Sequence, residues 1–182
     1  MAYYRRDRWA LLRAALGVTR HAFALSWPAA LCGAWLVLRA NQLWAPYPDN
    51  DPDGARRRMA RFYRLVAVRH GESFDTIRAA ELEVQWWRVH RDGSGQDDDA
   101  ALIEALAALY AHVYDVPARE VRLAASERAL AMRECDRWVR DGCDPESGLI
   151  LAIRAALVRS YAALLAAVHV AEPARRRPVA PR

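Results

Sequence analysis

The sequence predicts an all-α, single-domain bundle of about six or seven mostly antiparallel helices. Three observations lead there. No stretch of the 182 residues alternates apolar and polar side chains as a half-buried strand does. Successive windows instead repeat their apolar residues every three or four positions. The segments between those windows are short and rich in Gly, Pro and Asp, which returns each helix beside the one before it.

The elements follow in order. Tyr3–Gly17 carries a helical pattern. Pro28 begins a second helix, since proline suits a first helical turn. That helix runs to about Trp44 and is apolar all round until Arg39, Asn41 and Gln42, which mark its surface end. Ala45–Gly54 is a loop in which Asp51 or Asp53 is placed to cap the next helix. Ala55–His70 is amphipathic, with Met59, Phe62, Tyr63 and Val66 inward, and Gly71 ends it. Ser73–Arg91 follows, capped by Ser73 or Asp75, and Asp92–Asp97 is a flexible turn. Asp98–Tyr114 lines up Leu102, Leu106, Leu109, Tyr110 and Val113 on one side. Pro117 opens a helix that runs to about Asp141 and stops at Gly142. Asp144-Pro145 or Ser147 starts the last helix, which ends near His169 before Pro173. The domain therefore covers residues 1–173. Ala174–Arg182 is basic and Pro-rich without apolar periodicity, a disordered tail.

Composition narrows the function. All 27 basic residues are arginine, the formal charge is +5, and the pI is about 9.5. Such a balance suits an anionic partner, and equally a GC-rich genome that favours Arg and Ala codons together. The arginines alternate with Asp and Glu along most helices, so no continuous basic stripe forms and nucleic acid is not an expected partner. The three cysteines, Cys32, Cys135 and Cys143, are odd in number and contain no CxxC. That disfavours a disulfide framework and a zinc site, and points to a reducing, cytoplasmic compartment. Ala22–Leu38 runs for 17 residues without a charge, with arginines on either side. It is at the lower limit for a spanning helix, and it begins too far in for a secretory signal. A helix at the centre of the bundle is the expected reading, with insertion into a membrane surface as the alternative.

Several motifs fail on inspection. Asp49–Gly54 opens like a calcium loop, but its twelfth position is Ala60 where a bidentate glutamate belongs. Asp97-Asp98-Asp99 has no second acidic motif and suits a helix start. There is no GxGxxG, P-loop, GxSxG or HExxH. Di-metal bundles need Glu-x-x-His, which is absent, so no metal and no cofactor are expected. Cys143 lies at a helix C-terminus, where a thiolate is disfavoured.

The informative stretch is Ser73–Asp92. Plotted at about 100° per residue, Arg78, Glu81, Gln85, Arg88 and Asp92 form a solvent stripe. The opposite face carries Ala79, Trp86 and Trp87 with Glu83 and His90 in its midst. Arg128 projects inward from the Pro117 helix, with Asp136 at the edge of that face. Arg154 projects inward from the last helix, among Ile150, Ile153, Leu157, Tyr161, Leu164 and Val168. His70 falls inward at the end of its own helix. Ionisable groups are seldom buried unless paired or functional.

The leading expectation is a pocket between helices for a small organic anion. Glu83 or His90 would move a proton, Arg128, Arg154 and His70 would hold the anion, and Trp86 and Trp87 would form an aromatic wall. The structural alternative pairs Glu83 with Arg128 or Arg154 and lets His90 donate to a carbonyl. The apolar first third and the seven tryptophans support a non-catalytic interaction or assembly protein, a homo-oligomer for instance. A membrane-surface protein anchored through Ala22–Leu38 is the remaining reading.

Overall fold

The computed structural model describes residues 25–93 and 99–175, with side chains to residue 169. Among the described residues every regular element is helical: α1 (Trp27–Trp44), α2 (Pro52–His70), α3 (Thr76–Asp92), α4 (Ala100–Tyr114), α5 (Ala118–Arg140) and α6 (Leu149–Arg175). The chain is an all-α helical bundle. The expected Tyr3–Gly17 helix, the turn at 94–97 and the tail from 176 onward lie outside the described residues. Contacts gather into two units, residues 1–87 and 88–182, and the division falls inside α3.

In the first unit α1 packs on α2. Gly33 faces Phe62 and Leu65, while Leu43 lies beside Gly54, so the two helices run in opposite directions. Ala30, Ala34 and Ala40 are buried along α1 and Met59, Phe62 and Tyr63 along α2, small residues receiving large ones. The start of α2 is fixed by Asp51, whose carboxylate accepts from the Gly54 backbone N–H at 2.7 Å. With Pro52 in the first turn the helix begins three residues before the expected Ala55. Asp51 is thus the helix cap, and Asp53, inside the first turn, pairs with Arg56. Gly71 closes α2 in the left-handed region, at φ 68°. Asp75 opens α3, accepting from the Ile77 and Arg78 backbone N–H groups at 2.9 and 3.1 Å.

In the second unit α5 packs on both α4 and α6. Asp99 pairs with Arg133 at 2.8 Å and Glu104 pairs with Arg122, which sets α4 and α5 antiparallel. Glu127 pairs with Arg159 at 2.8 Å, and the Ser160 hydroxyl donates to the Ala124 carbonyl at 2.8 Å, which does the same for α5 and α6. The connection between α5 and α6 is held by Trp138, which is fully buried and donates its indole N–H to the Asp144 carbonyl at 2.7 Å.

Two expectations about α6 are corrected. The face packed on α5 carries Ala156, Ser160 and Leu164, whereas Tyr161, expected inward, is 53% exposed. The observed face is rotated by about 60° from the one drawn through the bulkiest side chains. Apolar residues surround this helix, so bulk does not fix its phase. Ala124 on α5, whose carbonyl accepts from Ser160, meets the small side of α6 instead, which allows close approach. The helix also continues through Pro173 to Arg175 rather than ending near His169. Proline removes one backbone bond near the end without stopping the run.

A β-carbon at position 54 would collide with the Asp51 carboxylate. Moving that carboxylate loses the cap, so Gly54→Ala is expected to cost about 1 kcal/mol. The measurement is the shift in urea midpoint, with Asp51→Ala as the reference for a lost cap.

Candidate functional site

Glu83 sits on α3 between two aromatic donors. Its carboxylate accepts from the Tyr63 hydroxyl at 2.7 Å and from the Trp87 indole N–H at 3.1 Å. Tyr63 comes from α2, and Trp87 stands one turn after Glu83, so one tether crosses helices and the other is local. Both donors are buried while Glu83 is half-buried. The rings continue outward from this pair. Tyr63 meets Phe62 and Phe74 edge-on, with centroids at 5.7 and 6.0 Å. Trp87 meets Trp44 at 5.9 Å and Trp86 at 6.1 Å. The result is a carboxylate fixed inside an aromatic cluster, at the place the helical projection puts it.

His90 and Asp136 form the second polar group. His90 Nε2 lies 2.9 Å from Asp136 Oδ2, and both side chains are 28% exposed. This carboxylate is one partner of the imidazole. Arg128, two turns before Asp136 on α5, is half-buried and makes no ion pair among the described residues. Cys135 is adjacent. Burial pushes its thiol up from the ordinary range, Asp136 and Cys143 push in the same direction, and Arg128 opposes them.

The expected site residues are distributed over the two units. Glu83, Trp86 and Trp87 belong to the unit ending at Trp87, and His90, Arg128 and Arg154 to the unit beginning at Arg88. Two of the inward assignments are corrected. Arg154 is exposed, because the true phase of α6 puts it on the solvent flank, where a guanidinium keeps its hydration. His70 is exposed because the buried stretch of α2 stops at Ala67. Val68, Arg69 and His70 form an open last turn, where a basic ring is favourable beside the helix carbonyls.

The sequence reading leaves out the partner of one polar residue and two polar residues entirely. The sequence puts Tyr63 in the core, and a buried tyrosine hydroxyl requires an acceptor, a signal that points to a partner such as Glu83. Glu127 was missed altogether; it is 20% exposed and its hydrogen bond holds Arg159 protonated beyond the usual guanidinium range. Ser160, buried on α6, was hidden by its small size.

Two helix faces expose apolar side chains. On α1 Trp27, Leu31 and Trp35 succeed one another every fourth residue, all more than half exposed, and the Arg39 guanidinium lies 5.9 Å from the centre of the Trp35 ring. On α6 Leu151, Val158 and Leu165 are 59–69% exposed, and Ala155 and Ala162 between them are exposed too. Tyr161 flanks that face near Tyr114, whose hydroxyl is pushed up by burial and by the neighbouring phenol. Among the described residues α6 is the one helix long and apolar enough to cross a membrane, with a mean hydropathy of 1.8 over Leu149–His169. Also among them, no group of three or more His, Cys, Asp and Glu gathers as a metal site would. No family model, curated protein or solved structure matches the chain.

Tyr63→Phe leaves the half-buried carboxylate short of a donor, and Glu83→Gln replaces one accepting oxygen with an NH2 group that cannot accept. Tyr63→Phe and Glu83→Gln should each destabilise by about 1–3 kcal/mol. The double variant should cost less than the sum, as coupled partners do, in equilibrium unfolding by urea. Thiol chemistry offers a second check. Cys32 is exposed, while Cys135 is half-buried with its pKa raised. A raised pKa means less thiolate at a given pH, so iodoacetamide at mildly alkaline pH should label Cys32 first and Cys135 faster only as the pH climbs further. Equal labelling rates would contradict that environment.

Proposed function

We propose that this protein is a non-catalytic assembly protein that associates through exposed apolar helix faces, its inward charges serving as structural tethers. The observation that carries this is the face of α6 turned away from α5. Large apolar side chains at 151, 158 and 165 stand in water there, and a monomeric surface seldom leaves such a row uncovered. The exposed Trp27 and Trp35 on α1, one of them stacked by Arg39, have the composition of interface anchors. Glu83 fits the structural half of the reading, since its donors are a tyrosine and a tryptophan that also pack the core.

A spanning role for α6 is less well supported. α6 packs on α5 and is hydrogen-bonded to it at Ser160, and α5 carries Arg119, Glu120, Arg122, Arg133, Glu134, Arg137 and Arg140. Hydrocarbon around α6 would draw those charges toward it. The three free cysteines favour a reducing compartment, and we place the protein in the cytoplasm.

A second reading rests on the His90–Asp136 pair. A half-exposed imidazole oriented by a carboxylate is a proton-transfer arrangement, and Arg128 on the same helix as Asp136 could receive a small organic anion. The two readings separate in solution. Assembly predicts that light scattering gives a mass above the 20.6 kDa monomer that rises with concentration. The anion reading predicts a monomer whose melting temperature rises with millimolar dicarboxylate or inorganic phosphate, an effect lost in Arg128→Gln. A concentration-independent monomer mass overturns the assembly reading.

A further inference from the structure

We infer that α6 pairs with α6 of a second copy of this chain in an antiparallel, two-fold contact centred on Val158. The inference rests on the assembly reading and names its partner.

The exposed face has the spacing that helix pairing needs. Leu151, Ala155, Val158, Ala162 and Leu165 are separated by four, three, four and three residues, the alternation that keeps one seam facing a partner helix. That seam lies diametrically opposite Ala156, Ser160 and Leu164, which are committed to α5. A second helix can therefore be received without disturbing the first contact.

The order of side chains selects the orientation. Read from either end, the seam runs Leu, Ala, Val, Ala, Leu. A two-fold axis at Val158 sets Leu151 against Leu165 of the partner subunit and Ala155 against Ala162 of the partner subunit. The alanine pairs let the backbones approach, and the leucines close each end of the contact over about 21 Å. An isologous interface demands this self-complementarity, because each surface must fit its own copy.

Charge favours the same arrangement. Arg154 and Tyr161 line one flank of the seam and Arg159 the other. Parallel pairing would place Arg154 across from Arg159 of the partner subunit, like against like. Antiparallel pairing places Arg154 across from Tyr161 of the partner subunit instead, a guanidinium against a phenol ring, twice by symmetry. It also turns the two Arg159 residues toward one another, but each already has Glu127 of its own chain at 2.8 Å. No acidic residue occurs between Leu149 and His169, so an ion pair is not available to this seam and the ring is the complement it has.

The test uses the full chain. Wild type is followed by sedimentation equilibrium from about 1 to about 100 µM, beside Val158→Arg and, on the other exposed face, Trp35→Arg. The expected result is a monomer–dimer equilibrium in wild type and Trp35→Arg. Val158→Arg should be monomeric throughout, with an unchanged circular dichroism spectrum since the position is exposed. Orientation is read by oxidative cross-linking, with the linked peptides identified by mass spectrometry to separate them from links through Cys32. Val158→Cys should link to itself. Leu151→Cys should link to Leu165→Cys in a mixture and not to itself.

Other outcomes overturn the inference in distinguishable ways. A dimer abolished by Trp35→Arg but not by Val158→Arg keeps the assembly reading and moves the contact to α1. Self-linking of Leu151→Cys means a parallel pair. A monomer that binds phosphatidylserine vesicles in wild type but not as Val158→Arg gives the face to lipid and ends both readings. A monomer in which the thiol of Val158→Cys resists maleimide gives the face to the chain itself.

Discussion

The hydrogen bond from Ser160 to the Ala124 carbonyl fixes how α6 lies on α5, and with it which side of α6 is left in water. Helix α6 is apolar nearly all round, so hydrophobic burial alone is indifferent to its rotation. A buried hydroxyl adds a direction: at the observed rotation Ser160 donates to the Ala124 carbonyl of α5. The ion pair between Glu127 and Arg159, one residue away, agrees with that rotation. Once the phase is set, Leu151, Val158 and Leu165 are carried outward together, and the candidate interface exists as a consequence of a contact on the opposite side.

The polar groups of the first unit act by the same logic. Glu83 is costly to shelter from water, and hydrogen bonds from Tyr63 and Trp87 offset that cost. The first of these bonds ties α2 to α3 at one register, something the surrounding aromatic rings could not do, since rings in edge contact tolerate sliding. Such a carboxylate contributes less to the depth of the energy minimum than to its uniqueness.

The sequence was legible where a local rule forces one outcome. Pro28, Asp51, Asp75, Gly71 and Gly142 mark helix ends by proline geometry, side-chain capping and the left-handed turn, and the helices begin or stop at or beside them. The α3 face was legible because tryptophans and charges separate cleanly around it, which put Glu83, Trp86 and Trp87 together. The phase of α6 was not, because a projection weighs bulk, and this contact is made by Ala156, Ser160 and Ala124 of α5. Arg154 followed that phase to the wrong side. His70 failed for a different reason: periodicity does not say how far along a helix its covering partner extends. Nor could periodicity foretell that a tyrosine hydroxyl and an indole N–H would both donate to Glu83.

The antiparallel course of α4, α5 and α6 bears on how the chain finds its structure. The helices that touch are neighbours in sequence, joined through residues 115–117 and 141–148. Contacts of that kind close small loops, so little chain entropy is surrendered before the first packing energy is gained, and helical proteins built this way fold in microseconds to milliseconds. Helix α5 is the common member of both pairs. Trp138, through its hydrogen bond to the Asp144 carbonyl, closes the short turn that brings α6 back onto α5.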